Sequence, residues 1–475
     1  MLNWPPQLPA EKLDELRVLS VDWATSNGLI IRSQIENVPY ALHAPFALFP
    51  SPFPRSGYEL AIQIQPLFNN LVDRVARDHQ FLTEIMESLS KSDEFTHKVY
   101  QIYKKTLNHK QKIWMGIHRS DYLLHYEDNQ PSIKQVELNT IASSFSSLSS
   151  KTDQLHHYIS NRTDFFNEFA PNHTNINAKD FPKNHSGKSI AQGIAKAFEL
   201  YGVKKAIVMM VVQPGENNIF DQRWIEQELF NSYNIKLVRK SLKEIQSQAK
   251  LIGPDQRLFI DNQEIAVTYF RAGYGPGDYP TESEWEARSL IEASFTVKCP
   301  NAAYHLVGSK KIQQILAGPN MLEKFISSEH ASLLYKSFTG LYPLDNSKEG
   351  LDAYKKALAN PSKYVLKPQR EGGGNNYYGD DIKKQLTTLT EQERNGFILM
   401  DLIQPPPLRN VMIRKNVAIE SDVISELGIY GIWVSDGEVC HLNTQGGHLM
   451  RTKSSSSNEG GVAAGFAVLD SPFLI

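Results

Sequence analysis

Lys367-Pro368-Gln369-Arg370-Glu371-Gly372-Gly373-Gly374-Asn375-Asn376 follows a short β-prone run, Tyr364-Val365-Leu366. Three successive glycines lack a Cβ. The chain there can take positive φ and turn backbone N–H groups onto a bulky anion. Lys367, at the expected strand end, supplies a compact positive charge suited to a phosphate. Glu371 is a hard oxygen ligand of the kind Mg²⁺ takes. Donors, cation and metal ligand so close together describe a polyphosphate clamp. The pattern is not the Walker A loop, since no Gly-Lys-Ser/Thr follows, nor is it G-x-G-x-x-G. A solvated surface hairpin is the alternative reading of the same residues.

The chain has 475 residues, 41% hydrophobic and 21% charged, with a net charge of −2. That length suggests roughly two to four lobes with a sizeable core. The near-neutral charge argues against a general nucleic-acid or membrane footprint. Two cysteines, Cys299 and Cys440, are too few for a disulfide framework and fit a reducing compartment. The opening residues lack the basic start and apolar core of a signal peptide. No apolar run approaches the roughly 18 residues of a membrane span. A cytoplasmic protein is expected.

Upstream, residues 1–40 are expected to be helical after Pro9, and Ala44 to Pro50 to be a buried irregular segment. The spacing of Leu67, Leu71 and Val75, then Phe81, Ile85 and Leu89, predicts helix over 66–90. Arg119-Ser120-Asp121-Tyr122 is the first polar cluster. In Gln135-Val136-Glu137-Leu138-Asn139 the alternation predicts a strand with Glu137 and Asn139 on one face, able to share Mg²⁺, or simply a wet edge. Ala142-Ser143-Ser144-Phe145-Ser146-Ser147 reads as a hydroxyl-rich loop, a carboxylate holder or an ordinary turn. His173 and His185 lie in an Asn/Lys-rich stretch, 171–188, that reads as surface loop.

From about 188 a helix, the apolar run Ala206 to Val212, another helix and the strand Ile235-Lys236-Leu237-Val238 predict an open α/β unit with a parallel sheet. Ligands bind at the strand C-terminal ends of such sheets, which singles out Glu216, Asn217, Asn218, Gln222, Arg271 and Tyr274. Capping by Asn218 or Asp221 is the alternative. The compact stretch from 340 to 400 reads as an α+β lobe covering a nucleotide. Beyond the proline link 404–407, Glu426 sits in an apolar strand and needs a cation or donors to offset its desolvation. Gly446-Gly447 is a second glycine pair, followed by Arg451 and Lys453.

Together, KPQREGGGNN, ISELGI, LMRTK and GGVAAG resemble the signatures of eukaryotic glutathione synthetases, which are permuted ATP-grasp ligases. The resemblance runs from about Ala44 to the C-terminus. It implies an α/β (α+β) fold: an ATP-grasp core, a lid lobe and an inserted parallel-sheet substrate domain. The implied boundaries are core at 1–203, substrate domain at 204–300, connection at 301–340, lid at 341–404 and core again at 405–475. Glu137, Asn139 and Glu371 would hold Mg²⁺, two ions in all. ATP would meet Glu137, Lys310, Lys367, Glu371, Gly372, Gly373, Gly374, Asn375, Asn376, Tyr378, Met400, Asp401, Leu402, Ile403, Glu426, Lys453 and Glu459.

γ-Glutamylcysteine would meet Arg119, Ala142, Ser143, Ser144, Glu216, Asn217, Asn218, Gln222, Arg271, Ala272, Gly273, Tyr274, Arg451, Val462 and Ala463. Arg451, Lys367 and Arg119 carry the implied catalytic roles. Glycine is the implied second substrate and a homodimer the implied assembly. Another carboxylate–amine ligase, or a non-catalytic ATP-binding module, is the alternative. Ser146-Ser147, Ala272, Leu402 and Glu459 depart from the family pattern. Ala463-Ala464 matches relatives that take glycine and not β-alanine.

Overall fold

The computed structural model describes residues 4–5, 7–33, 40–107, 109–127, 130–163, 180–458, 460–462 and 465–475. Three sheets carry the architecture. The largest has seven strands in the order Leu408–Arg414, Phe46–Ala47, Ala467–Asp470, Cys440–Ser454, Val417–Ser435, Trp114–Glu127, Gln130–Asn139. Leu408–Arg414 also pairs with the start of Val417–Ser435. Five strands therefore close into a ring, which removes exposed edges there. Phe46–Ala47 is one of them, so the expected irregular segment is buried but contributes a short strand.

The long strand Val417–Ser435 separates two cores. Leu427, Ile429 and Trp433 enter one, while Tyr430, Ile432 and Val434 enter the other, as period-two alternation requires. Helix Arg55–Arg77 packs Ile64, Phe68, Leu71 and Val75 into the first. Helix Ser186–Tyr201 packs Ile190, Ile194 and Ala197 into the second. Each isoleucine, leucine, valine or phenylalanine among them, once fully buried, contributes about 1.5–3 kcal/mol relative to exposure. The apolar spacing over 66–90 resolves into two helices, Arg55–Arg77 and His79–Leu89. Asp78 interrupts them, and its carboxylate accepts the Phe81 N–H to cap the second.

In the second sheet, Leu237–Lys240, Ile207–Val211, Gln263–Phe270 and Val297–Cys299 run parallel. Arg257–Ile260 and Lys250–Ile252 extend it antiparallel. The expected parallel sheet is thus mixed, because Asp261 and Asn262, both at positive φ, make the tight turn of a hairpin. The third sheet orders Leu341–Tyr342, Phe397–Asp401, Tyr364–Pro368 and Tyr377–Tyr378. Helices Lys348–Ala359 and Asp380–Thr388 back it through Ala353, Ala357, Ile382 and Leu386. This lobe hangs the glycine loop between Tyr364–Pro368 and Tyr377–Tyr378. Among the described residues no helix is long and apolar enough to cross a membrane.

Candidate active site

Register builds the first wall. Asp121 lies opposite Glu137 on one side and Gly428 on the other; Arg119 lies opposite Asn139; Glu426 lies opposite Arg451. Directly opposed residues share a face. These side chains stand on the face that carries Met115, Ile117, Ile432 and Leu449 into a core further along the strands. At the polar end the same face lines a cleft of about 280 Å³. Arg119 donates Nε and a terminal nitrogen to Asp121, at 2.6 and 2.8 Å. Arg451 donates to Asp121 at 3.0 Å and to Glu426. Burial pushes the Glu426 carboxyl up, against the opposing pull of Arg451. The Asn139 Nδ2 donates to Asp121 and to the Arg119 carbonyl. That leaves Oδ1 as the amide atom able to meet a cation.

The lobe supplies the second wall. Gly372, Gly373 and Gly374 all take positive φ, 97°, 69° and 77°, which side chains with a Cβ rarely tolerate. Lys367 donates to the Val136 carbonyl at 2.8 Å. Burial lowers its pKa to about 8. Lys310, the first residue of helix Lys310–Leu316, reaches Glu371 at 3.2 Å and Glu137 at 3.5 Å. Burial works against the Glu137 charge, but Lys310, Lys367, Arg451 and Arg119 outweigh it and hold that carboxyl low. Glu371 is driven the other way, by burial and by the neighbouring Glu137. Two oxygen-rich side chains already flank one cation here. Tyr378 and Lys453 both reach the Asn458 carbonyl.

The third wall comes from the second sheet. Asp221, on helix Ile219–Tyr233, accepts the N–H groups of Phe145, Ser147 and Leu148. It pairs with Arg271 at 3.0 Å. It therefore does not cap its own helix, and Asn218 makes no side-chain cap bond either. Asp221 instead fixes the loop in which Ala142 and Phe145 carry positive φ, a costly conformation without glycine. Ser146 and Ser147 belong to helix Ser146–Thr163 and not to the loop. Their bulk is accommodated because Gly187 faces Ser147; a Cβ at that glycine would come within 2.7 Å of its Oγ. Ser143 Oγ, both amide atoms of Asn218 and Arg271 Nε are buried without a hydrogen bond inside the protein. All three side chains line the cleft. A buried polar group left unpaired costs about 1–3 kcal/mol, so this wall is built to bond something else.

The cleft gathers Arg119, Glu137, Asn139, Ala142, Ser143, Ser144, Glu216, Asn218, Arg271, Tyr274, Lys310, Lys367, Glu371, Gly372, Gly373, Asn375, Asn376, Tyr378, Glu426, Arg451, Lys453 and Val462. Other expected residues stand behind it. Gln222 donates to Glu216 while accepting from Arg239. Asn217 meets residue Arg32 through its carbonyl. Ala272 and Gly273 form the turn, held by Asp278, that projects Tyr274. Gly374 is exposed and does not line the cleft. Met400 and Ile403 pack with Val365 against Leu123 and Val136. Asp401 accepts from Tyr342, and Leu402 bonds Lys363 through its backbone.

Glu459, Ala463 and Ala464 lie outside the described residues, as does the 171–179 part of the expected surface loop. The second glycine pair, Gly446-Gly447, is no phosphate loop. It sits within strand Cys440–Ser454, where a Cβ on Gly447 would strike Asn184 at 2.5 Å. Asp121 was absent from the expected site, although its i+2 spacing from Arg119 placed both on one strand face.

A lobe that lays a glycine loop over a sheet wall of carboxylates and cations defines the ATP-grasp class. The family described as "Eukaryotic glutathione synthase, ATP binding domain" matches residues 10–474, and the chain belongs to it. It is 41% identical to glutathione synthetase of Dictyostelium discoideum, over 98% of this chain and 99% of that one. It is 42% identical to the human glutathione synthetase, over 99% of each chain. Identity to the chloroplastic glutathione synthetase of Arabidopsis thaliana is also 42%, over 100% of this chain and 89% of that one. The solved structure of a glutathione synthetase-like effector from Globodera pallida, in its apo form, shares the fold. Its TM-score is 0.79 at 24% identity, covering 99% of this chain and 98% of that chain.

Proposed function

We propose that this chain joins γ-glutamylcysteine to glycine at the expense of ATP, giving glutathione, ADP and phosphate. One observation carries the assignment. A glycine loop with its lysines faces, across a single cleft, a wall of buried donors that the protein leaves unpaired. The first is suited to a polyphosphate, the second to a small polar peptide.

The peptide carboxylate attacks the γ-phosphate, forming an acyl phosphate and ADP. The glycine amine then attacks the acyl carbon and phosphate leaves. Lys367, Lys310 and the loop N–H groups receive the phosphates. Arg451 serves the transferring group, while Arg119 and Arg271 hold peptide carboxylates or the acyl phosphate. Positioning and charge stabilisation are the protein's main contributions to such a transfer. The apolar contact of Met400 and Ile403 with Leu123 and Val136 offers a slot for the nucleotide base. Closure of the 341–404 lobe excludes water, which otherwise hydrolyses the acyl phosphate.

Glu137, Glu371 and the Asn139 Oδ1 are hard oxygen donors that suit Mg²⁺. They are few, consistent with a cation that completes its shell from phosphates and water. When bound, Mg²⁺ offsets charge on the transferring phosphoryl oxygens.

We assign 1–203 and 405–475 to the core, 204–300 to substrate binding, 301–340 to the connection and 341–404 to the lid. The exposed apolar side chains Tyr40, Leu42 and Val417 adjoin the His43–Asn416 contact and offer a surface for a homodimer. Light scattering on the eluting protein tests this, and a monomer refutes it. A buried Cys299 and an exposed Cys440, both unpaired, fit the cytosol. The activity is tested by phosphate release from ATP with γ-glutamylcysteine, adding glycine and other amines in turn. Release coupled to glutathione formation is expected with glycine; selective use of another amine would reassign the acceptor.

A further inference from the structure

Beneath the first wall, one side chain lies below the ligand-facing surface yet touches three groups that form it. Asp121 is 0% exposed. Its Oδ1 accepts Arg119 Nε; its Oδ2 accepts Arg119, Asn139 and Arg451 at 2.8, 3.0 and 3.0 Å. With these four contacts and full burial, the carboxylate faces the protein's own donors and not the cleft. Arg119 and Arg451 repel one another across the site. Glu426 pairs with Arg451, whereas Asp121 is shared by both arginines. Gly428 makes the arrangement possible. A Cβ there would lie 2.6 Å from Asp121 Oδ1 and 2.9 Å from Arg119 Cδ, inside contact distance. Its value is the absent side chain, not an unusual φ.

We propose that Asp121, seated over Gly428, is a positioning residue that sets Arg119, Arg451 and Asn139 in the convergent geometry the phosphoryl transfer needs. The proposal rests on the ligase reading above. Misplacement of a reacting group by about 1 Å costs on the order of 100-fold in rate. The isosteric Asp121→Asn removes the charge and turns an amide donor toward guanidinium donors. It is expected to lower kcat about 100-fold or more, while ADP affinity by calorimetry stays within about threefold and the melting temperature stays near wild type. Gly428→Ala keeps the carboxylate but displaces it, and a smaller kcat loss with the same ADP affinity is expected. That variant carries the test if Asp121→Asn does not fold.

A second measurement needs no substrate. In protein carrying ¹⁵N-arginine, the Arg119 Nε–H is expected to exchange slowly with solvent in the wild type and faster in either variant. Wild-type kcat in a folded Asp121→Asn, unchanged Nε–H exchange, or, in Gly428→Ala, parallel loss of ADP binding and melting temperature would each overturn the proposal. If the wild type itself fails to turn over γ-glutamylcysteine and glycine, the ligase reading falls, and the exchange comparison still decides the role of Asp121.

Discussion

Glu371 and Lys367 are held away from their ordinary ionisation, in directions that make nucleotide binding pH-dependent. Burial and the neighbouring Glu137 raise the Glu371 carboxyl; burial lowers the Lys367 ammonium to about 8. Polyphosphate raises the lysine's pKa, so binding near or above that pH takes up a proton. A cation on Glu371 lowers the carboxyl's pKa, so binding at lower pH releases one. Calorimetry of Mg·ADP binding in buffers of differing ionisation enthalpy should show net release near about pH 6.5 and net uptake near about pH 8.5. The same sign at both would refute the linkage. Glu371→Gln keeps the shape but not the charge. Turnover should fall by at least about 100-fold, with the melting temperature retained and a higher Mg²⁺ concentration needed for half-activity. Near-normal turnover at ordinary Mg²⁺ would reduce Glu371 to a loop charge. Glu137 and Asn139 were legible from alternation within one strand. Asp121 was legible in the same way, but its importance appears only when Arg451 arrives from a strand 330 residues away.

Two elements face each other across the cleft, and the proposed reaction gives each its own substrate. The glycine loop takes positive φ at three successive positions, so Gly373→Val should strain the backbone and weaken ATP binding while sparing the peptide. Arg271 stands on the opposite wall, paired with Asp221. Arg271→Ala should chiefly raise the apparent KM for γ-glutamylcysteine. Saturation curves for each variant check both, and a selective loss of ATP affinity in the Arg271 variant would move that residue to the nucleotide side. The turn Asp261-Asn262 shows why the two antiparallel strands beside the expected parallel ones were not legible in the sequence. An apolar run such as Ile207–Val211 reveals burial on both faces, but strand direction depends on a local turn whose positive φ values the apolar pattern does not encode.

Across the whole molecule, the lobe is latched to the helical corner at 88–92. Ser92 donates to the Gln392 carbonyl, Gln392 to the Lys91 carbonyl and Asn395 to Ser88; Arg370 pairs with Asp93. These contacts are exposed or part-buried, which suits the opening and closing lobe of the proposed reaction. A Gln392→Ala/Asn395→Ala variant should change stability by no more than about 0.5 kcal/mol per substitution. It should, however, release more phosphate with γ-glutamylcysteine when glycine is omitted, because a loosened lobe admits water to the acyl phosphate. An unchanged leak would place the seal elsewhere.

By itself the sequence determined which segments gather chemically suited groups. Three glycines beside a lysine and a glutamate supply backbone freedom and charge in one loop, and period-two alternation puts Glu137 and Asn139 on one strand face. These are local properties, written in residues next to one another. Tertiary structure alone decided who faces whom. Sheet register set Glu426 against Arg451 and Asp121 against Gly428. It also turned Gly446-Gly447 into a site of close packing against Asn184, and made Asp221 the anchor of a loop on another element. Register and contact are fixed by partners distant along the chain, so no window of sequence contains both sides of the interaction.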